Sequence, residues 1–320
     1  MSILRSMLVG IAGIMIGSCG MLLSYFQPKP TIPVIAFVPR TTGTAFTEDM
    51  RRGAEQAAKS AGYQIYWNAP TRADDVERQI RIAENAVDKG ATALVLAPTN
   101  PWGVTTLLQR LSKRHLPIVI VQTESPVPVG PLVSSVAPDQ REIGRIAAER
   151  IAQITGGHGK VAIVGLNHGE PETLERAQSF LHSIESYPDL KVVAQTSGSN
   201  QALEIEQGLR DILLTYPNIK VVFAVSADAA QAALLALHDQ SLAQKIKVVA
   251  CDRDLFLSDN LEDGTLDSVV TVSGTQLGYA AVMAVLAGTR GRKLPPPEHL
   301  TAVLFTRQDL DRERNPSQTQ

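Results

Sequence analysis

The 320-residue chain has only two cysteines, Cys19 and Cys251, and aromatic residues make up just 5% of it. One cysteine lies in an N-terminal apolar stretch and the other closes an apolar run, which excludes a disulfide framework and a cysteine metal cluster. Six histidines, at positions 115, 158, 168, 182, 238 and 299, are scattered. None pairs with another four residues away and no H-E-x-x-H occurs, so the paired-histidine helical zinc motif is absent. The formal net charge is −2, with no basic stripe. That argues against a nucleic-acid partner, because phosphate binding rests on clustered Lys and Arg. No G-x-G-x-x-G follows the first strand-like run, and no G-x-S-x-G nucleophile elbow exists. The segment "ITGGHGKVAIV" has Ile154 where a phosphate loop needs its first glycine, and it precedes a strand instead of following one. No cofactor, metal ligand or catalytic set is therefore expected.

What is present begins at the N-terminus. Ser6 to Phe26 carries no charge, Arg5 precedes it, and "QPKPTIP" breaks it. Such a run can span a bilayer with Arg5 on the cytoplasmic side, and it also opens like a secretory signal. The tetrad "IGSC", Ile16 to Cys19, resembles a lipoprotein box in which Cys19 would be lipidated after cleavage. The apolar "MLLSYF" that follows suits an uncleaved anchor better. Anchor, lipoprotein and cleaved signal all place the rest of the chain outside the cytoplasm, with the first two tethering it to the membrane.

From Pro33 onward, strand-like and helix-like patterns alternate. "VIAFV", "YQIYW", "ALVLAP" and "PIVIV" are short β-rich runs. Between them, Met50, Ala54, Ala57 and Ala61, then Val76, Ile80, Ala83 and Val87, repeat at helical spacing. The acidic pairs Glu48–Asp49 and Asp74–Asp75 open helices, where the dipole favours negative charge. A second series starts after "PLVSSV" and runs through "KVAIVG", "KVVAQ", "KVVFAV", "IKVVACD" and "LDSVVTV". Continuous Val/Ile runs suit strands buried on both faces. The expected fold is α/β, with two doubly wound parallel-sheet lobes joined by a multi-strand hinge. Residues 31–136 plus about 273–296 would form the first lobe, and 137–272 plus about 297–314 the second. Residues 1–30 would be the signal or anchor, and 315–320 a tail. "AVLFTRQDL" reads as one more strand.

Ligands of open parallel sheets sit beyond the carboxyl ends of the strands. The polar and aromatic residues at those ends are Thr44 and Phe46, Trp102, Gln122 and Thr123, Ser226 and Asp252, with Arg176 on a following helix. An aromatic ring covers the apolar face of a sugar, while Arg and Asp each bind neighbouring hydroxyls.

With these residues in place, the chain from about Thr31 to Leu310 resembles the type I periplasmic sugar-binding proteins, the ribose- and galactose-binding group. That group shares its fold with the ligand-binding core of lactose-repressor-like regulators. The stretch "VIAFVPRTTGTAFTEDMRRGAEQAAKSAGYQI" is similar to the family opening, and "ERAQSF", "VVACD" and "TQLGYAA" are similar to later motifs. The resemblance puts Phe46 on the sugar-stacking aromatic, Arg176 on the binding arginine and Asp252 on the binding aspartate. It also implies departures. Gln122-Thr123 replaces an Asp-Arg or Asp-Asn pair, Ser226-Ala227 replaces Asn-Asp, Thr47 replaces a second aromatic, and Val272 falls near a usual Gln. A ligand larger or less polar than a simple pentose is implied. The resemblance further implies an exported, non-enzymatic solute-binding protein whose closed form is read by an ABC-transporter permease. The alternative is a sensor component feeding a membrane kinase or chemoreceptor. A DNA-binding regulator would need a helix-turn-helix before the core, and an apolar leader stands there instead.

Overall fold

The computed structural model describes residues 32–72, 74–168, 170–198, 202–253 and 255–314. The leader and Cys19 lie outside the described residues.

Twelve strands and ten helices are described. The first series is β1 (Val34–Val38), α1 (Ala45–Ser60), β2 (Gln64–Trp67), α2 (Val76–Asp88), β3 (Ala93–Leu96), α3 (Thr105–Lys113), β4 (Ile118–Val121) and β5 (Val133–Pro138). The second is α4 (Gln140–Thr155), β6 (His158–Leu166), α5 (Pro171–Ile184), β7 (Asp189–Ser197), α6 (Ala202–Thr215), β8 (Ile219–Ala224), α7 (Ala227–Asp239), β9 (Lys247–Cys251), α8 (Leu255–Asp263) and β10 (Leu266–Thr271). The chain closes with α9 (Gly274–Thr289), β11 (Glu298–Leu300), β12 (Val303–Thr306) and α10 (Arg307–Arg314).

Two six-stranded sheets result, ordered β11-β5-β4-β3-β1-β2 and β12-β10-β9-β8-β6-β7. Every pairing in the first sheet is parallel. The second is parallel except where β12 runs antiparallel to β10. The two orders are the same when β1–β5 are matched with β6–β10, so the lobes are copies of one doubly wound pattern.

Each sheet is buried on both faces, which is why its strands read as unbroken apolar runs. In the first lobe, Met50 and Ala54 of α1 and Leu277 and Ala281 of α9 cover Ile35, Phe37, Val95 and Val119. The opposite face packs Ile82 and Ala83 of α2 and Leu107 and Leu111 of α3 against Val38, Leu94, Leu96 and Ile120. In the second lobe α4 and α5 cover one face and α6, α7 and α8 the other. Each wholly buried Val, Leu or Ile stabilises the fold by roughly 1.5–3 kcal/mol before entropy is counted.

Two helices cross to the opposite lobe. α4 follows β5 of the first sheet but packs in the second lobe, while α9 follows β10 of the second sheet and packs against α1 in the first. The α1–α9 contact is close enough that a Cβ on Gly53 would meet the backbone of Thr275, and one on Gly278 the backbone of Met50. A third crossing joins β11 to β12. The sequence reading assigns residues from about 297 to the second lobe, but Glu298–Leu300 pair with Val136–Pro138 of β5. The crossing therefore falls at residues 301–302. "AVLFTRQDL" is also only half strand: Thr306 bonds Asp309 through both its backbone N–H and its hydroxyl, at 2.9 and 2.7 Å, and that cap starts α10.

Candidate functional site

The carboxyl ends of both sheets meet at a cleft with a cavity of about 580 Å³. Its lining comes from the loops after β3 and β4 (Trp102, Thr123, Glu124), from the crossing at Pro138 to Arg141, and from the start of α5 (Glu172, Glu175). That volume suits a small sugar-sized molecule. A shallower depression of about 340 Å³ near Thr275 and Tyr279, on the α1–α9 side, includes none of these strand-end loops.

In the second lobe, α5 is brought onto α4 by Gly144, where a Cβ would collide with the Arg176 carbonyl. That approach buries Arg176 to 3% exposure. A guanidinium cannot shed its charge at ordinary pH, so its donors must be met internally. Nε donates to Oε1 of Gln140 at 2.6 Å, and Nη1 to the Val225 carbonyl at 2.8 Å. Nη1 and Nη2 then grip both carboxylate oxygens of Asp252, at 2.6 and 3.1 Å. Burial pulls the Arg176 pKa down, but Asp252, with Cys251 and Glu172, together outweigh it and leave the guanidinium above its ordinary range. Beside it, burial pushes the Cys251 thiol up to about 12, so the thiol stays protonated. The Asp252 side chain remains 46% exposed. Arg176 thus holds Asp252 from beneath, and Asp252 is the member of the pair open to a ligand.

Asp252 takes a left-handed φ of 61°, and Gln122 does the same at 71°. They occupy the same place in the two lobes, directly after β4 and β9. Each donates its backbone N–H to the neighbouring strand, Gln122 to Val136 at 3.2 Å and Asp252 to Val270 at 3.1 Å. Non-glycine residues rarely adopt this conformation, and such outliers gather at functional sites.

The other strand-end residues divide by role. Thr44 caps α1: its hydroxyl accepts from Thr47 N at 3.1 Å, and the Thr47 hydroxyl accepts from Thr44 N at 3.1 Å. Thr47 is 6% exposed and is used for capping, so it is not free to line the cleft. Ser226 likewise caps α7, accepting from Ala229 N at 3.2 Å. Phe46 is part-buried and packs against core residues of both lobes. Trp102 is 63% exposed and, with Thr123, lines the cavity. Gln79 is wholly buried and ties the first-lobe loops together, donating to the Pro39 and Ala97 carbonyls and accepting from Thr99.

Several groups escaped the sequence reading. Gln140 follows the Asp139 cap of α4, and a polar residue at a helix start carries no signal of its own. Arg40, after β1, reaches across to Glu170, after β6, at 3.5 Å, and so pairs the two lobes. Burial pushes the Glu170 carboxyl above its ordinary range against the pull of Arg40, and Glu172, Asp228 and Asp252 push the same way. His299 of β11 lies 2.6 Å from Glu124, beside the crossing. A cross-lobe pair has no sequence signal, since its partners are 130 residues apart.

A family model described as the periplasmic binding protein domain matches residues 35–293. The chain belongs to this family. This periplasmic binding protein is 24% identical over 162 residues to the D-apiose import binding protein of Actinobacillus succinogenes, and 22% identical over 152 residues to the xylitol-binding protein of Mycolicibacterium smegmatis. Those matches take in 51% and 48% of this chain and 51% and 42% of the relatives, so the chain spans about half the length of these two. The ribose import binding protein of Bacillus subtilis is 25% identical over 254 residues, which is 79% of this chain and 81% of that protein. Among solved structures, the arabinose-binding protein of Geobacillus stearothermophilus superposes with a TM-score of 0.79 at 20% identity, over 88% of this chain and 99% of that one. A solute-binding protein from Agrobacterium radiobacter in complex with D-arabinose reaches 0.75 at 26% identity, over 90% and 99%. The fold of this binding protein is that of the two-lobed type I class. Among the described residues no helix is long and apolar enough to cross a membrane.

Proposed function

We propose that this periplasmic binding protein is exported, tethered by its N-terminal segment, and captures a sugar or sugar-like polyol between its lobes for an ABC-transporter permease. The observation that carries the reading is the Arg176–Asp252 pair at the end of β9. It presents a half-exposed carboxylate, locked by a buried guanidinium, at the carboxyl end of the second sheet, and Gln140 links that guanidinium to the wall of a cavity of sugar size. Asp252 accepts from ligand hydroxyls, Trp102 covers an apolar sugar face, and Gln122 and Thr123 supply polar groups from the opposite lobe. The names of the relatives support a sugar or polyol ligand. The protein works as a binder and not as an enzyme. The Cys251 thiol is buried and protonated, and the cleft groups named above pair a carboxylate with an arginine, not a nucleophile with a base.

The test is calorimetric titration of the purified protein against pentoses, hexoses, polyols and nucleosides. Saturable binding of a sugar or polyol is expected. Binding of nucleosides alone, or of nothing in the panel, contradicts the reading. A role as a sensor subunit predicts the same binding, so co-purification with a permease or with a kinase separates the two.

A further inference from the structure

Two places in the cleft carry groups that suit a sugar, and they do not coincide. One is the end of β9, where Asp252 stands half-exposed on the buried Arg176. The other is the cavity of about 580 Å³, and Asp252 is not among the residues that line it. Phe46, Gln122 and Ser226 are likewise absent from its lining. The cavity has its own aromatic face in the well-exposed Trp102. It also has its own polar pair. Glu124 follows β4, His299 belongs to β11, and both line the cavity with more than half of each side chain exposed. His299 Nε2 and Glu124 Oε1 are 2.6 Å apart, and the Ser135 hydroxyl donates to Glu124 Oε2 at 3.4 Å. A pair this exposed adds little to stability. Facing a cavity, it offers ligand hydroxyls a carboxylate acceptor and an imidazole. Gln140 joins the two places, since it lines the cavity and its Oε1 accepts from Arg176 Nε at 2.6 Å.

We propose that the cleft holds two adjacent sugar subsites, one at Asp252 and one in the cavity over Trp102 and the Glu124–His299 pair, and that the ligand is a disaccharide. This rests on the sugar-binding reading above and narrows its ligand class. A ring in the cavity lies on Trp102 and meets Glu124 and His299, but Asp252 is outside that space. A ligand that touches both Trp102 and Asp252 therefore extends beyond the cavity, and a second ring supplies the length. Linking the rings makes the second contact intramolecular, so affinity rises without a new kind of contact.

The experiment is calorimetric titration of the full protein with disaccharides and their component monosaccharides: maltose and cellobiose against glucose, lactose and melibiose against galactose and glucose, and xylobiose against xylose. At least one disaccharide should bind about tenfold or more tighter than either of its components, which bind measurably but more weakly. Trp102→Ala and Glu124→Ala, both changes of exposed side chains, should each cost that disaccharide about tenfold. Monosaccharide binding with no disaccharide tighter than its components overturns the proposal and leaves the sugar-binding reading intact. A preferred disaccharide that keeps its affinity in either variant overturns the cavity subsite, and so the proposal. Should a variant fail to fold, the comparison of one ring with two on the unaltered protein still decides. Absence of binding by every one of these sugars contradicts the sugar-binding reading itself, and this proposal with it.

Discussion

Arg176 and Asp252 show how far single residues can be read from a sequence. Their types and positions mark a ligand site, but the same types also make an ion pair. Nothing in the spelling tells which guanidinium hydrogens face solvent. The close approach of α4 and α5 at Gly144 decides it, leaving Arg176 3% exposed and Asp252 half-exposed. Asp252→Asn should therefore act twice. It should weaken ligand binding about tenfold or more, and lower unfolding free energy in urea by roughly 1–3 kcal/mol, because a buried guanidinium loses its counter-charge. Unchanged urea stability would show that Arg176 does not depend on the pair. Glu170 gives a pH prediction with a definite sign. Its folded-state pKa lies above the ordinary value near 4.5, so the folded protein keeps this proton at pH values where the unfolded chain has lost it. The contribution of Glu170 to stability is fully present at low pH and falls as pH rises through the window just above that value. The melting temperature of the unaltered protein minus that of Glu170→Gln should accordingly be larger near about pH 5 than near about pH 7.5. A constant difference would contradict the assignment.

At the scale of elements, most of the pattern is legible because it is driven by burial. β3 and β4 are buried at every position, and a run such as "ALVL" or "IVIV" has no other use at that length. The helices α1 and α2 show the expected stripes, and Asp75 caps α2 through Arg78 N, whereas α1 opens earlier than its acids, behind Thr44, with Glu48 in its first turn. The misread elements are short or depend on partners. β11 is three residues, Glu298 to Leu300, with two polar side chains, and only its pairing with β5 makes it a strand. α10 depends on the Thr306–Asp309 cap, which a strand-like "AVLF" hides. The contact of α1 with α9 is a third case, since glycine spacing within one helix does not name the helix it meets. Gly278→Val should destabilise the protein by about 1–3 kcal/mol in chemical denaturation, because the added side chain meets the Met50 backbone. A variant as stable as its parent would contradict the close α1–α9 contact.

At the scale of the molecule, the two lobes repeat one strand order and exchange a helix each, so three chain crossings run beneath the cleft. Fixed scaffolds with a few flexible crossings are the usual basis of hinge closure around a ligand. Arg40 and Glu170 meet across the lobes, and Phe46 packs against both cores. This level was legible only in outline. Two α/β series and a chain that returns are visible in the sequence, whereas the cross-lobe contacts depend on residues more than a hundred positions apart. The central claim is that a sugar-sized ligand is held between the lobes and touches both. Hydrogen exchange of the protein, with and without the tightest-binding member of the sugar and polyol panel, tests it most directly. Added protection is expected together at residues 99–103 and 122–126 of the first lobe and at 170–176 and 250–253 of the second, with little change at the far ends of either sheet. Protection confined to one lobe, or absent despite saturating ligand, would contradict it.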